Sequence, residues 1–345
     1  MPIRTYQPGD ENQIQSLFKK VFGTSRSMEL WQWKFLQHPN ASNPWILLYE
    51  EDGSVLGHIS LWVSYAWVHG EKQPIGLRID TMVDPDARGK GIYQKLNETL
   101  IKEAKKRGIV YLYGFPAPKA KDLFLRYTHA SHLLDVPRYI YVQKPIALLS
   151  SKIAPLKALR PLDRVALQFQ QKKFRQKNQE SFTIKEISTF DQSFDQLAER
   201  TKHHATVHLV RDAAYLNWRY IKHPNHNYKM LALYERGELK GYIVFRVEPK
   251  EDREFRNGYI VDWLAEDDDT YWQVLLQQAM VRMKEADVVQ TWAMPKAHST
   301  TLLANNKFMH KDSPMPLVGK ELTVQHIELN NPDAWYITPG DIDSF

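Results

Sequence analysis

The chain contains no cysteine. That excludes disulfide bonds, zinc–thiolate centres and a cysteine nucleophile. It also lacks any apolar run near the roughly 20 residues that a membrane-spanning helix needs. The opening Met1-Pro2-Ile3-Arg4-Thr5-Tyr6 has no signal-peptide core, so a cytoplasmic, soluble protein is expected. His203, His204 and His208 have no partnering carboxylate pattern, and no metal is expected. General basicity is missing too. The formal charge is +6, but eight basic residues face a single acid, Asp163, between Lys152 and Lys177. The rest of the chain is near neutral, so a nucleic-acid reading would rest on this segment alone. With 345 residues, 43% of them hydrophobic, two domains with sizeable cores are the prior.

The most informative stretch is Val83-Asp84-Pro85-Asp86-Ala87-Arg88-Gly89-Lys90-Gly91-Ile92-Tyr93. An apolar, strand-like run, 75–83, precedes it. Leu96, Leu100, Ile101 and Ala104 follow with helical spacing. The sequence therefore predicts strand, glycine-rich turn, helix. Such a turn aims consecutive backbone N–H groups at one point, at the positive end of a helix dipole. Gly89 and Gly91 permit close approach, and Arg88 and Lys90 add positive charge. A pyrophosphate suits that nest.

The spacing resembles the acetyl-CoA signature of the GNAT N-acetyltransferase superfamily, in which Val-x-Pro ends a strand and Arg-Gly-x-Gly-x-Gly/Ala opens a helix. Here Val83-Asp84-Pro85 and Arg88-Gly89-Lys90-Gly91-Ile92-Tyr93 match it, with Tyr93 replacing the usual small residue. The order of predicted elements over residues 1–146 also agrees with that family: strand, two helices, three strands, glycine turn, helix, strand, helix, strands. The resemblance implies acetyl-CoA as acyl donor and cofactor contacts from Met82, Val83, Arg88, Gly89, Lys90, Gly91, Ile92, Tyr93 and Phe124. It implies an amine acceptor, small molecule or peptide; on the charge distribution and histidine pattern above, neither nucleic acid nor metal is expected.

The chain then repeats. Trp33-Lys34-Phe35-Leu36-Gln37-His38-Pro39-Asn40 corresponds to Trp218-Arg219-Tyr220-Ile221-Lys222-His223-Pro224-Asn225, and Leu48-Tyr49-Glu50 recurs as Leu233-Tyr234-Glu235 at the same offset. The expected fold class is α/β (α+β): tandem GNAT folds, each a mixed, mostly antiparallel sheet flanked by helices. The expected domains are an acyl-CoA-binding domain over 1–148, a basic helical linker over 149–180, and a degenerate GNAT domain over 181–345. In the second copy the turn reads Ala265-Glu266-Asp267-Asp268-Asp269-Thr270, without glycine or arginine. Its carboxylates would repel a pyrophosphate. The linker's apolar stripe, Leu162, Val165, Ala166 and Phe169, is expected to pack across both domains. The other reading is a patch for an anionic polymer or membrane surface.

Acyl transfer to an amine needs a polarised carbonyl, a neutral nucleophile and a protonated leaving group. The resemblance places the carbonyl at the backbone N–H groups of Met82 and Val83, opposite Tyr113 and Gly114. Asp80, on the same strand, is the candidate base; pairing with Arg78 or a structural role shared with Asp262 is the alternative. Phe124 stands where the family often has a tyrosine acid, so Tyr127, one turn on, is the candidate acid. His38 and His223 read as helix stops, and Trp31 and Trp33 as cleft lining or core. The functional expectation is an acyl-CoA-dependent N-acetyltransferase. A non-catalytic acyl-CoA or anionic-polymer binder and a tRNA-dependent aminoacyl transferase are the alternatives.

Overall fold

The computed structural model describes residues 2–150, 153–163, 165, 167–168, 182–248, 255–323 and 327–344. The first half begins with β1 (Ile3–Thr5), α1 (Glu11–Phe22) and α2 (Met28–Phe35). An antiparallel meander follows: β2 (Trp45–Glu51), β3 (Ser54–Val68) and β4 (Glu71–Val83). After the glycine turn comes α3 (Ile92–Lys106), then β5 (Tyr111–Gly114), α4 (Pro118–Thr128) and β6 (Ser131–Val142). Ile92, Leu96, Leu100 and Ala104 recur every four residues and are buried, which fixes the face of α3 that meets the sheet. They pack on Leu47, Ile59, Leu61 and Leu112. A Cβ at Gly57 would lie 2.7 Å from Ile92 Cγ2, so glycine is what lets α3 approach β3 so closely.

The second half repeats this plan. After the short helix α5 (Pro145–Ser150) come β7 (Phe182–Ile187), α6 (Gln192–Arg200), β8 (Val207–Leu209) and the one-turn helix α7 (Ala213–Leu216). The meander β9 (Lys229–Glu235), β10 (Glu238–Val247) and β11 (Asn257–Ala265) leads into α8 (Asp269–Arg282), then β12 (Val288–Trp292), α9 (His298–Asn305) and β13 (Met309–Glu321). β4 runs parallel to β5, and β11 runs parallel to β12.

The two halves are joined by exchanged strands. The sheet order is β1-β2-β3-β4-β5-β13-β6-β12-β11-β10-β9-β7, with β8 on β3. β13 of the second half pairs with β5 of the first, and β6 of the first half pairs with β12 of the second. The expected split at 148/181 is therefore a division of sequence, and each half's sheet is completed by the other. Side chains repeat the relation. Trp33 stacks on Trp218 at 5.0 Å, and each indole N–H donates to the other's backbone carbonyl, at 2.8 and 2.9 Å. His38 packs on Trp218 and His223 on Trp33, both at 4.2 Å.

The linker departs from expectation. Leu162 and Val165 are exposed rather than packed across the halves; Leu167 is buried instead, and Asp163 accepts from the N–H groups of Ile146 and Ala147 at the start of α5. Ala166, Phe169 and the basic residues Lys152, Arg164, Lys172, Lys173, Arg175 and Lys177 lie outside the described residues.

Candidate functional site

β4 and β5 are paired over only three residues, Ile75 to Leu77 against Tyr111 to Tyr113. Beyond Leu77 the two strands part. β4 also carries a bulge here, where its register against β3 shifts and Asp80 has φ of 45°. The opening widens into a cavity of about 1100 Å³. Its walls are Arg78 to Thr81 and Val83 of β4, Gly114 to Ala117 after β5, the α1–α2 loop, and Leu123 and Phe124 of α4. Trp33, His223, His226 and Asp343 line it as well.

Arg88 and Tyr93 bring the glycine turn onto this wall. Gly89 and Gly91 have φ of 87° and 73°, and no atom lies within 4 Å of the space their missing Cβ atoms would fill. Gly91 is the N-cap of α3 and provides no side-chain acceptor, so the first-turn N–H groups are left for a ligand. An anion, above all a diphosphate, fits that donor set. Lys90 does not add to it: its ammonium donates to Glu51 at 2.7 Å and it is absent from the wall.

Asp80 is not arranged as a base. Its carboxylate is ion-paired with Arg26 and, at 2.9 Å, with Lys34, whose ammonium also reaches Asp343 at 2.8 Å. Burial alone would raise the Asp80 carboxyl, but Lys34 and Arg26 outweigh it and hold it well below the usual carboxylate range. For Lys34, burial opposes the charge and Asp343 and Asp80 restore it, leaving the pKa raised. His58 Nδ1–H donates to the Asp80 carbonyl at 2.6 Å, and burial pulls that imidazole down to about 4. Asp80 thus anchors the bulge, and the expectation of proton abstraction is replaced by one of positioning. Asp80→Asn is expected to cost about 3 kcal/mol of stability, because it strands the buried Arg26 guanidinium and leaves Lys34 with Asp343 alone. Residual activity should keep the wild-type pH profile. An unchanged unfolding midpoint with an altered profile would restore the base assignment.

The other expected residues divide. Val83, Arg88, Tyr93 and Phe124 line the cavity, whereas the side chains of Met82 and Ile92 are in the core. The Asp84 N–H donates to Leu56 O, so alternation turns the Met82 N–H to β3 and the Val83 N–H to the gap. Tyr127 is not on the wall; its ring packs edge-on against Tyr93 at 5.6 Å. Trp31 is wholly buried, while Trp33 does reach the cavity. Nδ1 of His38 accepts from the Asn40 N–H, and Nδ1 of His223 from the Asn225 N–H, both at 3.2 Å, the same helix-stop bond in each half.

Sequence reading missed Arg26, Lys34, Arg78 and Asp343. A signal existed for two of them. Arg26 and Lys34 recur as Arg211 and Arg219 at the Trp33–Trp218 spacing. Arg211 pairs with Asp262 at 3.0 Å as Arg26 pairs with Asp80.

In the second half the equivalent opening is closed. β11 and β12 also part after three paired residues. The chain's last segment lies between them. Tyr336 donates its hydroxyl to Trp263 O, Arg211 donates to Asp341 at 2.8 Å, and Arg219 donates to Gly340 O and Ile342 O. About 10 Å³ remains there, room for about one water. The turn before α8 is spent as well: Asp268 caps the Thr270 N–H, and Glu266 pairs with Arg200 and Lys240.

Residues 2–121 match the family model of the acetyltransferase (GNAT) domain. Among curated proteins nothing matches. Several solved structures share the fold over nearly the whole chain. A GCN5-related N-acetyltransferase from Anabaena variabilis is 13% identical with a TM-score of 0.68, covering 93% of this chain and 73% of that one. Eis1 from Mycobacterium abscessus is 14% identical, with a TM-score of 0.61 and coverage of 95% and 75%. Saccharomyces cerevisiae N-myristoyltransferase, solved with bound myristoyl-CoA, is 12% identical, with a TM-score of 0.57 and coverage of 92% and 82%.

Proposed function

Residues 2–121 of this chain are a GNAT acetyltransferase domain, and on that premise we propose that the protein is an acyl-CoA-dependent N-acyltransferase, with acetyl-CoA as donor and an amine as acceptor. One observation carries the reading. The half with a glycine turn has an uncapped helix start beside an open cavity, and its repeat has neither.

Acetyl-CoA, when bound, supplies the activated thioester. The α3 N–H groups and Arg88 would hold its diphosphate. The Val83 N–H, turned to the gap between β4 and β5, would orient and polarise the carbonyl. Trp33, His223 and His226 line the same cavity and would offer the acceptor an aromatic wall. Burial lowers His226 to about 4, so it meets an incoming ammonium as a neutral acceptor. Asp343 is the wall carboxylate left partly open to solvent, with 28% of its side chain exposed. Its carboxylate is paired with Lys34, so the proton shed as the C–N bond forms and the C–S bond breaks would pass to water in the open cavity. Phe124 offers no proton, and a thiolate can leave without a dedicated donor.

Thermal-shift measurement with acetyl-CoA, followed by thiol release across an amine panel, tests this. Stabilisation with amine-dependent release is expected. Stabilisation with no release from any amine would make the protein an acyl-CoA binder, and no stabilisation would remove the donor assignment.

A further inference from the structure

Four cations line the cavity, Arg26, Lys34, Arg78 and Arg88, against two carboxylates, Asp80 and Asp343. Both carboxylates are committed to Arg26 and Lys34. Arg88 sits with the uncapped turn. Arg78 remains. It stands at the first position where β4 leaves β5, beside Gly114, at the floor of the opening. The carbon of its guanidinium lies over the Phe124 ring, 3.8 Å from the centroid. That contact covers one face and leaves the in-plane N–H groups as the means of recognition. One of them donates to Thr81 Oγ1 at 3.3 Å, and Tyr93 is near enough to favour the charge. The Nε–H is buried with no hydrogen-bond partner among the described residues. Burial works against this charge, and its pKa is lowered. No carboxylate is among its partners in the described residues.

A half-buried arginine with a hydroxyl partner, a buried orphan Nε–H and an aromatic support is arranged for an anion with planar geometry. We propose that Arg78 is a recognition residue for a carboxylate on the substrate, so that the transferred acyl group or the acceptor amine carries one. The proposal deepens the acyltransferase reading and rests on it only for which of the two bears the charge. Arg78 is on β4 and the diphosphate donors are on α3, so retention of acetyl-CoA affinity in Arg78→Leu separates a substrate carboxylate from the donor's diphosphate. Tyr93, at the position where the family resemblance has a small residue, acquires a use here: it stands on the cavity wall close enough to Arg78 to favour the guanidinium's charge.

The test uses the full-length protein with Arg78→Leu and Arg78→Lys. Calorimetric titration compares succinate with its uncharged diamide. Wild type is expected to bind succinate at least about tenfold more tightly. Arg78→Leu should lose that preference while retaining acetyl-CoA affinity, and Arg78→Lys should keep part of it. Turnover then assigns the source. Succinyl-CoA against acetyl-CoA, with one neutral amine, reports a carboxylate on the acyl group; alanine against alaninamide, with acetyl-CoA, reports one on the acceptor. A preference in either pair that disappears in Arg78→Leu supports the proposal. Equal binding of succinate and its diamide by wild type overturns it, as does a uniform loss of all substrates and of CoA in Arg78→Leu. If wild type binds no CoA, the acyltransferase reading fails, while the succinate titration still decides the role of Arg78.

Discussion

Protein carrying Arg88→Glu together with Gly91→Asp is expected to lose acetyl-CoA affinity by at least about a hundredfold while remaining folded. The turn offers a donor set with one mobile cation, and the double change replaces both features. Near a surface, two like charges about 4 Å apart cost on the order of 1 to 4 kcal/mol, and a hundredfold in affinity is about 2.7 kcal/mol. Residues 88 to 91 are all exposed, so little of the core is disturbed. Gly91 is in the left-handed region, with φ of 73°, which aspartate tolerates better than most residues. The new carboxylate would also cap α3, as Asp268 caps α8 in the repeat. The variant thus converts the first turn toward the second one. Calorimetric titration with acetyl-CoA checks the outcome, and near-wild-type affinity would remove the diphosphate from this turn.

The second large effect is acid unfolding. Burial lowers His38, His204 and His208 to about 3 and His58 to about 4, from an ordinary 6.5. A group depressed in the folded state binds its proton more readily when unfolded. Its contribution to stability is complete above pH 6.5 and disappears as pH falls toward the folded value. Between pH 6.5 and 4 each such imidazole surrenders up to about 3 kcal/mol. Four together approach the whole stability of a typical protein, about 5 to 15 kcal/mol. Asp341 works in the opposite direction: burial beside Asp262 raises it, so its protonation favours the fold. Tryptophan fluorescence is expected to report cooperative unfolding with a midpoint between about pH 4 and 5.5. A protein still native at pH 4 would show that these imidazoles are solvated.

Much of this architecture was legible in the chain because it follows local rules. The glycine turn, the amphipathic α3 and the β2–β3 hairpin each rest on residues close in sequence, and each forms. The repeat was legible because Trp, His, Pro and Asn recur in register, and the reciprocal Trp33–Trp218 contact gives that recurrence a physical cause. What escaped was set by distance. Asp80 reads as a free carboxylate on a strand until Arg26 and Lys34 arrive from α2 and the loop before it. Tyr127 shares a helix with Phe124, yet Tyr93 from another helix stands in front of it. Asp343 reaches the cavity only because the final segment threads the other half, a route that no periodicity encodes. The linker stripe misled for a similar reason: helical spacing marks a face, and it does not say whether anything covers that face.

The exchange of β6 and β13 bears on how the molecule comes into being. Synthesis delivers β5 long before β13, so nearly two hundred residues leave the ribosome while the edge beside the cleft has no neighbour. Only the final strand seals that flank, and the tail just behind it carries Asp343 to the wall. A nascent or prematurely terminated chain would hold the diphosphate turn but neither the finished sheet nor the acceptor side. Competence thus waits for β13 and Asp343, and fragments ending before β13 have an open edge inviting association with other chains.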